Sequence, residues 1–334
     1  MRLSAPEIRA RAEQAKAHYQ NCDLCGHDCR VDRTKGPAGR CYEGTGVVLA
    51  GAGVHFGEEP PLVGDGPGRP GENAPGMRRG SGLVLVGGCN LACRSCETAD
   101  FSLERKGVVP FSESQLASLF LKQQSEGAAN LNLVTPTHVM PALLSGLAAA
   151  AERGFVIPVV WNCGGYESLA ALELLDGIVD IYLPDAKYGR DAEGESVSGS
   201  PGYTKALRES LKEMWRQTGP IQLDARGLAT RGTIVRHLVL PNDAAGSREA
   251  MQLCAEVSPD LWVNVMSQYR PLHNAKRLPV IARRCSKTEI GFAVQAALDA
   301  GLRNVLLDGT PTGSEELLVS RKAAKVQRLG SGIP

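Results

Sequence analysis

The chain has 334 residues, 43% of them apolar and 22% charged, so it can bury a substantial core and is not disordered throughout. Its net charge is +1, from 37 basic and 36 acidic residues, which gives no reason to expect nucleic acid or an acidic membrane surface as a partner. No apolar run reaches the roughly 18 residues of a membrane span, and the polar N-terminus is unlike a signal peptide. We therefore expect a cytoplasmic protein.

The hydrophobic pattern predicts strands and helices that alternate along the chain. An amphipathic helix over 1–20 is followed by a cysteine-rich segment, a strand over 46–56 and a Gly/Pro-rich loop or linker over 64–82. Further strands are predicted at 82–87, 130–134, 157–161, 178–183, 233–240, 261–266 and 304–308. Further helices are predicted at 112–126, 141–153, 167–175, 203–217, 247–257 and 286–300, and those at Ser112 and Ser286 open with a capping box.

These strands are short, continuous apolar runs, as in buried parallel sheets covered by helices. An open doubly wound sheet and a full or partial barrel both fit this α/β pattern. About seven strands are too few for a standard eight-stranded barrel. In either architecture the active site lies at the carboxyl ends of the strands.

The chain has ten cysteines, and in a cytosolic protein clustered thiols indicate metal binding or catalysis rather than disulfides. Three are isolated in the sequence, and seven form two groups: Cys22, Cys25, Cys29 and Cys41, then Cys89, Cys93 and Cys96. The first group can saturate either a tetrahedral zinc ion or an iron–sulfur cube. Zinc or an auxiliary cluster is therefore expected there, with disulfides as the competing interpretation.

The second group has the spacing C-x3-C-x2-C and directly follows the strand at 82–87. A [4Fe–4S] cube takes four ligands, so three cysteines leave one iron open for another molecule. An open coordination position is typical of a reactive metal site. A zinc site completed by a distant histidine, or three structural thiols, are the alternatives.

This motif after the first strand of a partial barrel resembles that of the radical S-adenosylmethionine superfamily. The chain is most similar to the uncharacterised branch of pyruvate formate-lyase-activating-enzyme homologues, over Cys22 to about Asp308. Besides the four-cysteine head, the similarity is carried by GEEP at 57–60, NLVTPTH at 132–138, WNCGGYE at 161–167, LPDAKY at 183–188, IVRHLVLP at 234–241 and VNVMSQYRP at 263–271.

The resemblance implies a partial (β/α)6-type barrel of parallel strands over 83–310. It would follow an N-terminal helix and four-cysteine module (1–45) and a strand with a linker (46–82), and precede a tail (311–334). It further implies a cluster on the catalytic cysteines Cys89, Cys93 and Cys96 that binds S-adenosylmethionine. Reductive cleavage would give a 5′-deoxyadenosyl radical that abstracts hydrogen from a substrate. A flavodoxin or ferredoxin would donate the electron.

The same resemblance assigns cofactor contacts to polar residues near strand ends. Thr135, Thr137 and His138 stand where relatives carry Gly-Gly-Glu. The other expected cofactor-binding residues are Asn162, Asp185, Lys187 and Arg236. For Asp185 and Lys187, the alternative interpretation is a surface ion pair. For Arg236, the alternative is a buried structural ion pair, because burying an arginine in an apolar strand costs free energy unless it is paired.

Three classes of function remain open from the sequence. The first is an activating enzyme that abstracts hydrogen from a glycyl residue of a partner protein. The second is a radical enzyme that modifies a small molecule or peptide. The third is a non-catalytic metal-binding protein, which the odd number of cysteines in the second group disfavours, since a structural site normally has four ligands.

Overall fold

The structure is a computed structural model that describes residues 1–64 and 80–312. The Gly/Pro-rich part of the predicted linker at 65–79 and residues 313–334 of the predicted tail lie outside the described residues.

Strands and helices alternate through most of the described chain. The strands are β1 (Val47–His55), β2 (Ser81–Val86), β3 (Val109–Phe111), β4 (Leu131–Val134), β5 (Val159–Cys163), β6 (Ile181–Pro184), β7 (Gln222–Leu223), β8 (Ala229–Leu238), β9 (Trp262–Met266), β10 (Asn304–Leu307) and β11 (Thr310–Pro311). The helices are α1 (Ala5–Lys16), α2 (Pro60–Val63), α3 (Ala99–Ser102), α4 (Glu113–Ser125), α5 (Met140–Ala151), α6 (Leu169–Leu175), α7 (Asp191–Glu193), α8 (Tyr203–Thr218), α9 (Ser247–Val257) and α10 (Lys287–Asp299).

The fold is α/β with a mostly parallel central sheet. Its order is β3-β1-β2-β4-β5-β6-β8-β9-β10-β11, and the run from β2 to β10 is parallel. Within this run the order in the sheet follows the order in the chain without the reversal that defines a doubly wound sheet. Parallel crossovers are almost always right-handed, so a sheet ordered in this way has its connecting helices on one face. The helices α4 and α5, α6 and α8, and α9 and α10 pack against each other.

The antiparallel strands β1, β3 and β11 extend the two edges, and β7 pairs with β8. The predicted strand at 46–56 is therefore present but runs antiparallel to β2, because it is joined to β2 without a crossover helix. Predicted strands at 157–161 and 178–183 lie two or three residues later, where their neighbours in the sheet offer backbone partners.

Local signals in the sequence set several helix ends. Ser112 and Ser286 each accept a hydrogen bond from the backbone two or three residues into the helix, and Gln115 and Glu289 complete the two predicted capping boxes. Between β6 and α8 the chain makes two short helical turns, Asp191–Glu193 and Gly194–Ser198. Among the described residues, no helix combines the length and the apolar character needed to cross a membrane.

The short helix α2 closes one end of the sheet interior. Its Leu62 and Val63 pack with side chains from β5, β6 and β8, namely Val160, Ile181, Leu183, Ala229 and Ile234. The Asn130 amide donates a hydrogen bond of 2.8 Å to the Leu62 carbonyl and ties α2 to the start of β4. The opposite end, where the parallel strands finish, stays open.

Candidate functional site

A cavity of about 480 Å³ lies at the carboxyl ends of the parallel strands, the position that the sequence analysis predicted for the active site. Its volume falls within the range of small-molecule sites. Eight of the predicted site residues line it: Cys89, Cys93, Cys96, Thr135, Asn162, Asp185, Lys187 and Arg236. Five strands or the loops after them, those of β2, β4, β5, β6 and β8, thus bring together side chains that are spread over residues 89–236.

The loop after β2 carries the three cysteines and bends sharply at Gly88, where φ is +80°. A Cβ at Gly88 would lie 2.3 Å from Glu43 Oε1, so glycine is required both for the backbone conformation and for the close approach. The backbone N–H of Leu91 donates to Cys89 Sγ at 3.3 Å, and Cys96 Sγ lies 3.2 Å from Ser102 Oγ. These contacts orient the thiols toward the cavity.

The surroundings of two thiols in this loop, those of Cys89 and Cys93, shift their pKa values upward. Burial raises the pKa of Cys89 and Cys93, and the neighbouring thiols raise the pKa of Cys89 further, whereas Lys187 opposes the shift at Cys93. Metal binding to such thiols releases their protons, because a metal requires the thiolate.

The donor set of this loop is soft sulfur, which suits an iron–sulfur cluster. Within residues 1–64 and 80–312, no group of three or more His, Cys, Asp or Glu side chains is arranged to hold a metal ion. A [4Fe–4S] cube differs from a single metal ion because each of its protein ligands binds a different iron atom, so the ligands need not converge on one point. Three thiols on one cavity wall fit that group in chemistry and position.

Asp185 and Lys187 follow β6 and face the cavity as an ion pair, with Lys187 Nζ 2.5 Å from Asp185 Oδ2. Burial by itself would lower the pKa of Lys187, but the charges of Asp185 and Cys93 raise it well above its usual value. The Tyr203 hydroxyl fixes the backbone here, since it donates to the Asp185 carbonyl and accepts from the Lys187 N–H. Lys187 is therefore a stable cation beside the cysteines.

Arg236 points into the cavity from β8 and is held by the carboxylates of Glu58 and Glu59. Glu59 is 2% exposed and also accepts 2.8 Å bonds from Arg236 Nε and the Asn264 amide. Burial would raise the pKa of Glu59, but Arg236 and Asn264 lower it below its usual value. Arg236 thus lines the cavity and forms the buried ion pair that was the competing interpretation from the sequence, while its contact with a cofactor stays a prediction.

Two of the predicted cofactor-binding residues lie behind the cavity wall. Thr137 donates to Glu167 at 3.2 Å and accepts from the Trp161 indole, and it is 2% exposed. His138 is also buried and lies 3.0 Å from the Gly87 carbonyl through Nε2. The chain turns into a short helix at Thr137–Val139, which carries these side chains away from the cavity that Thr135 lines. Through its contact with the Gly87 carbonyl, His138 supports the backbone at the start of the cysteine loop.

We expect His138 to make folding sensitive to acid. Burial, with smaller contributions from Arg33 and Arg105, lowers the pKa of His138 to about 4. A depressed histidine pKa contributes stability above its unfolded value near 6.5, and this stability is lost as the pH falls toward 4. Denaturant unfolding between pH 7 and 4 should show a loss of about 3 kcal/mol that His138→Asn removes. The variant of the exposed His55, His55→Asn, should retain the wild-type pH dependence.

The four N-terminal cysteines lie outside this cavity. Cys22 is buried, the other three are half-buried, and all ten cysteines of the chain are free of disulfides. Burial raises the pKa of Cys25, with smaller contributions from the other three thiols. Arg33 lies among them, 1% exposed, and donates to the carbonyls of Glu43, Gly44 and His138. This arginine anchors the N-terminal segment to the body of the protein.

The two cysteine groups meet at Tyr166. Its carbonyl accepts a 3.0 Å bond from the Gly26 N–H, next to Cys25, and a 3.5 Å bond from the amide of Asn90, next to Cys89. The ring of His27 packs edge-on against Tyr166 at 5.0 Å. The sequence contains no signal for this proximity.

The sequence analysis did not assign Glu58 to the site, and the structure places it in the cavity wall. A usable signal was available: an arginine inside an apolar strand needs a carboxylate, and Glu58 and Glu59 adjoin the end of β1. His237, the neighbour of Arg236, faces the other side of the strand and bonds to Ala186 and Ser247, as expected for a packed histidine.

No model of a known protein family matches the chain. The chain is 29% identical over 304 residues to an uncharacterized protein of Methanocaldococcus jannaschii, an alignment that covers 86% of this chain and 77% of the relative. The similarity thus spans most of both chains.

Proposed function

We propose that this protein is a radical S-adenosylmethionine iron–sulfur enzyme, an oxidoreductase of the activating-enzyme type. The observation that carries the proposal is the position of Cys89, Cys93 and Cys96, which follow the first parallel strand and line the cavity at the strand ends. Three thiols there, rather than four, leave room for a cofactor on the fourth iron.

The sheet supports the finer architecture that we propose, a partial (β/α)6-type barrel. Its seven parallel strands are ordered as in the chain, and six of them, β2, β4, β5, β6, β8 and β9, line the cavity directly or through the loops that follow them. The N-terminal segment around Arg33 would form a separate cysteine-rich module on this barrel, and we propose that the protein is cytoplasmic. The module would hold zinc or an auxiliary cluster, and its contact through Tyr166 lies beside the second cysteine group.

Cys89, Cys93 and Cys96 would hold the [4Fe–4S] cluster. When bound, the cluster and S-adenosylmethionine would supply a 5′-deoxyadenosyl radical, with the electron coming from a flavodoxin or ferredoxin. Leu83, Leu85 and Val134 give the cavity an apolar wall that excludes water. Asp185 and Lys187 offer one negative and one positive group, which match the amino and carboxylate ends of an amino acid. Thr135 and Asn162 offer further hydrogen-bonding groups.

The substrate belongs to one of two classes under this proposal. A glycyl residue of a partner protein is the activating-enzyme case, and a small molecule or peptide is the alternative. A non-catalytic metal-binding protein is the third candidate, and the open cavity beside the thiols weighs against it.

The test is release of 5′-deoxyadenosine from S-adenosylmethionine by protein reconstituted anaerobically with iron and sulfide and reduced with dithionite. We expect about four irons at the second cysteine group and measurable release. Protein with that cluster that never cleaves the cofactor would contradict the proposal. Zinc and iron analysis of the same samples, with and without Cys25→Ala and Cys29→Ala, would assign the metal of the N-terminal group.

We expect Asp185→Asn to weaken S-adenosylmethionine binding about tenfold, because it removes the charged partner that the amino group would meet, a loss of about 1.4 kcal/mol. Equilibrium binding to the reconstituted protein measures the effect. Asp224→Asn, in the turn before β8 and outside the cavity wall, is the matched control and should bind as the wild type does. A lower melting temperature with unchanged affinity would instead assign Asp185 a structural role.

A further inference from the structure

The residues at the inner end of the cavity differ in chemistry from those at its opening. The cysteines lie where the strands end, whereas Arg236 lies within β8, two residues before Leu238, which lines the cavity above it on the same face. Glu58 meets Arg236 at this deeper level, directly above α2. We call Glu58, Arg236 and the buried Asn132 of β4 the polar floor.

The polar floor and the adjoining Glu59 together carry two negative charges and one positive charge. Arg236 forms a two-pronged pair with Glu59 through Nε and Nη2 and gives Glu58 only a second bond from Nη2. Glu58 is 10% exposed at its side chain, and its Oε1 accepts no hydrogen bond from the described residues. One guanidinium thus faces two nearly buried carboxylates. Burying a carboxylate that is only partly paired with a cation costs free energy, and a second cation beside it would offset that cost.

Asn132 supplies independent evidence for a ligand at this level. It is 0% exposed, and neither its amide nitrogen nor its amide oxygen has a hydrogen-bond partner among the residues that the structure describes. Its register partner Leu83 lines the cavity, so the side chain of Asn132 lies on the cavity face of the sheet. Asn130, on the same face about 7 Å nearer to α2, already holds α2. Orphaned buried amides of this kind normally have a partner in the functional state.

We propose that the polar floor binds a cationic group, an ammonium or guanidinium, that the substrate carries. This inference rests on the proposed function, because it names the substrate class of the same cavity. Glu58 Oε1 and the Asn132 amide oxygen would accept hydrogen bonds from the cation, while the apolar wall of Leu83, Leu85 and Val134 covers the aliphatic part that joins it to the reacting carbon. A free amine and a basic peptide side chain share this chemistry.

Direct binding tests the inference without any turnover. The probes are n-butylamine, protonated at neutral pH, its neutral analogue n-butanol, the anion butyrate, and N-acetyl-lysine amide for a peptide source, each titrated by ligand-observed NMR. We expect the amine, the lysine derivative or both to bind at least about tenfold more tightly than butanol and butyrate. Glu58→Gln should abolish this preference, and Asn132→Leu should reduce it.

Three variants distinguish recognition of the cation from an effect on folding and from a general effect of removing a negative charge. Glu59→Gln removes the carboxylate that Arg236 and Asn264 hold, so it should lower the melting temperature more than Glu58→Gln does. Glu104→Gln removes one exposed carboxylate outside the cavity wall and should bind the amine as the wild type does. Equal binding of amine and alcohol, tighter binding of butyrate, or an unchanged preference in Glu58→Gln would overturn the inference.

The outcome is distinguishable from that of the proposed function. Release of 5′-deoxyadenosine without amine binding would refute the inference alone, and amine binding without release would refute the proposed function alone. The amine should also bind in the presence of S-adenosylmethionine. If S-adenosylmethionine displaces it and Glu58→Gln weakens both ligands equally, the polar floor belongs to the cofactor and the inference is wrong.

Discussion

Serine in place of Cys93 should abolish cluster binding and lower S-adenosylmethionine cleavage by at least about 100-fold. Cys93 lies between the other two cysteines of the motif, lines the cavity and carries a thiol whose pKa burial raises and Lys187 lowers. A serine hydroxyl is a hard, protonated donor that does not replace a soft thiolate on iron. Iron and sulfide content, the visible absorption of the cluster and 5′-deoxyadenosine release measure the effect.

Cys285→Ser is the matched control for this variant. Cys285 is half-buried outside the cavity wall, and its thiol donates to the Val239 carbonyl at 3.0 Å, a bond that a serine hydroxyl can also make. We expect wild-type iron content and cleavage from it. Full cleavage by Cys93→Ser would show that the cluster is held elsewhere, and loss of iron in Cys285→Ser as well would point to a general effect of thiol removal on reconstitution.

Replacement of Arg236 by methionine should lower the free energy of unfolding by about 3–5 kcal/mol, because it leaves Glu58 and Glu59 buried without their cation. Their side chains are 10% and 1% exposed, so little water compensates the loss. In this variant, acid should restore stability, since protonation neutralises the two carboxylates. Denaturant unfolding at several pH values measures both effects.

Two further variants make this result interpretable. Glu59→Gln added to Arg236→Met should recover part of the loss, because it removes one uncompensated charge. Arg303→Met, whose partner Asp260 is half-exposed and whose own side chain is 67% exposed, should cost at most about 1 kcal/mol. If Arg236→Met unfolds no more easily than Arg303→Met, the ion pair with Glu58 and Glu59 is not structural, and Arg236 is free to bind a ligand.

Much of the secondary structure follows from local sequence. The continuous apolar runs place β2, β4, β8, β9 and β10 within a few residues, because a buried parallel strand needs apolar side chains on both faces. Ser112 and Ser286 begin their helices as predicted, because a capping box is complete within four residues. The edge strands β3, β7 and β11 have no such signal, since two or three residues pair only where a neighbouring strand offers its backbone.

The candidate site likewise has one part that the local sequence predicts and one part that it does not. The spacing of Cys89, Cys93 and Cys96 after a strand placed them at the cavity, because alternating strands and helices bring all strand ends to one side. The bond between Arg236 and Glu59 joins residues 177 positions apart, and no local pattern encodes it.

By itself, the sequence determined the alternation of strands and helices along the chain, the grouping of the cysteines and the end of the sheet at which the cavity lies. Each depends on residues close together in the chain. Only the tertiary structure decided that β1 turns back on β2, that Thr137 and His138 lie behind the cavity wall, and that Glu58 enters it. These depend on which distant groups are packed together, since burial and charge compensation are set by the neighbours in space.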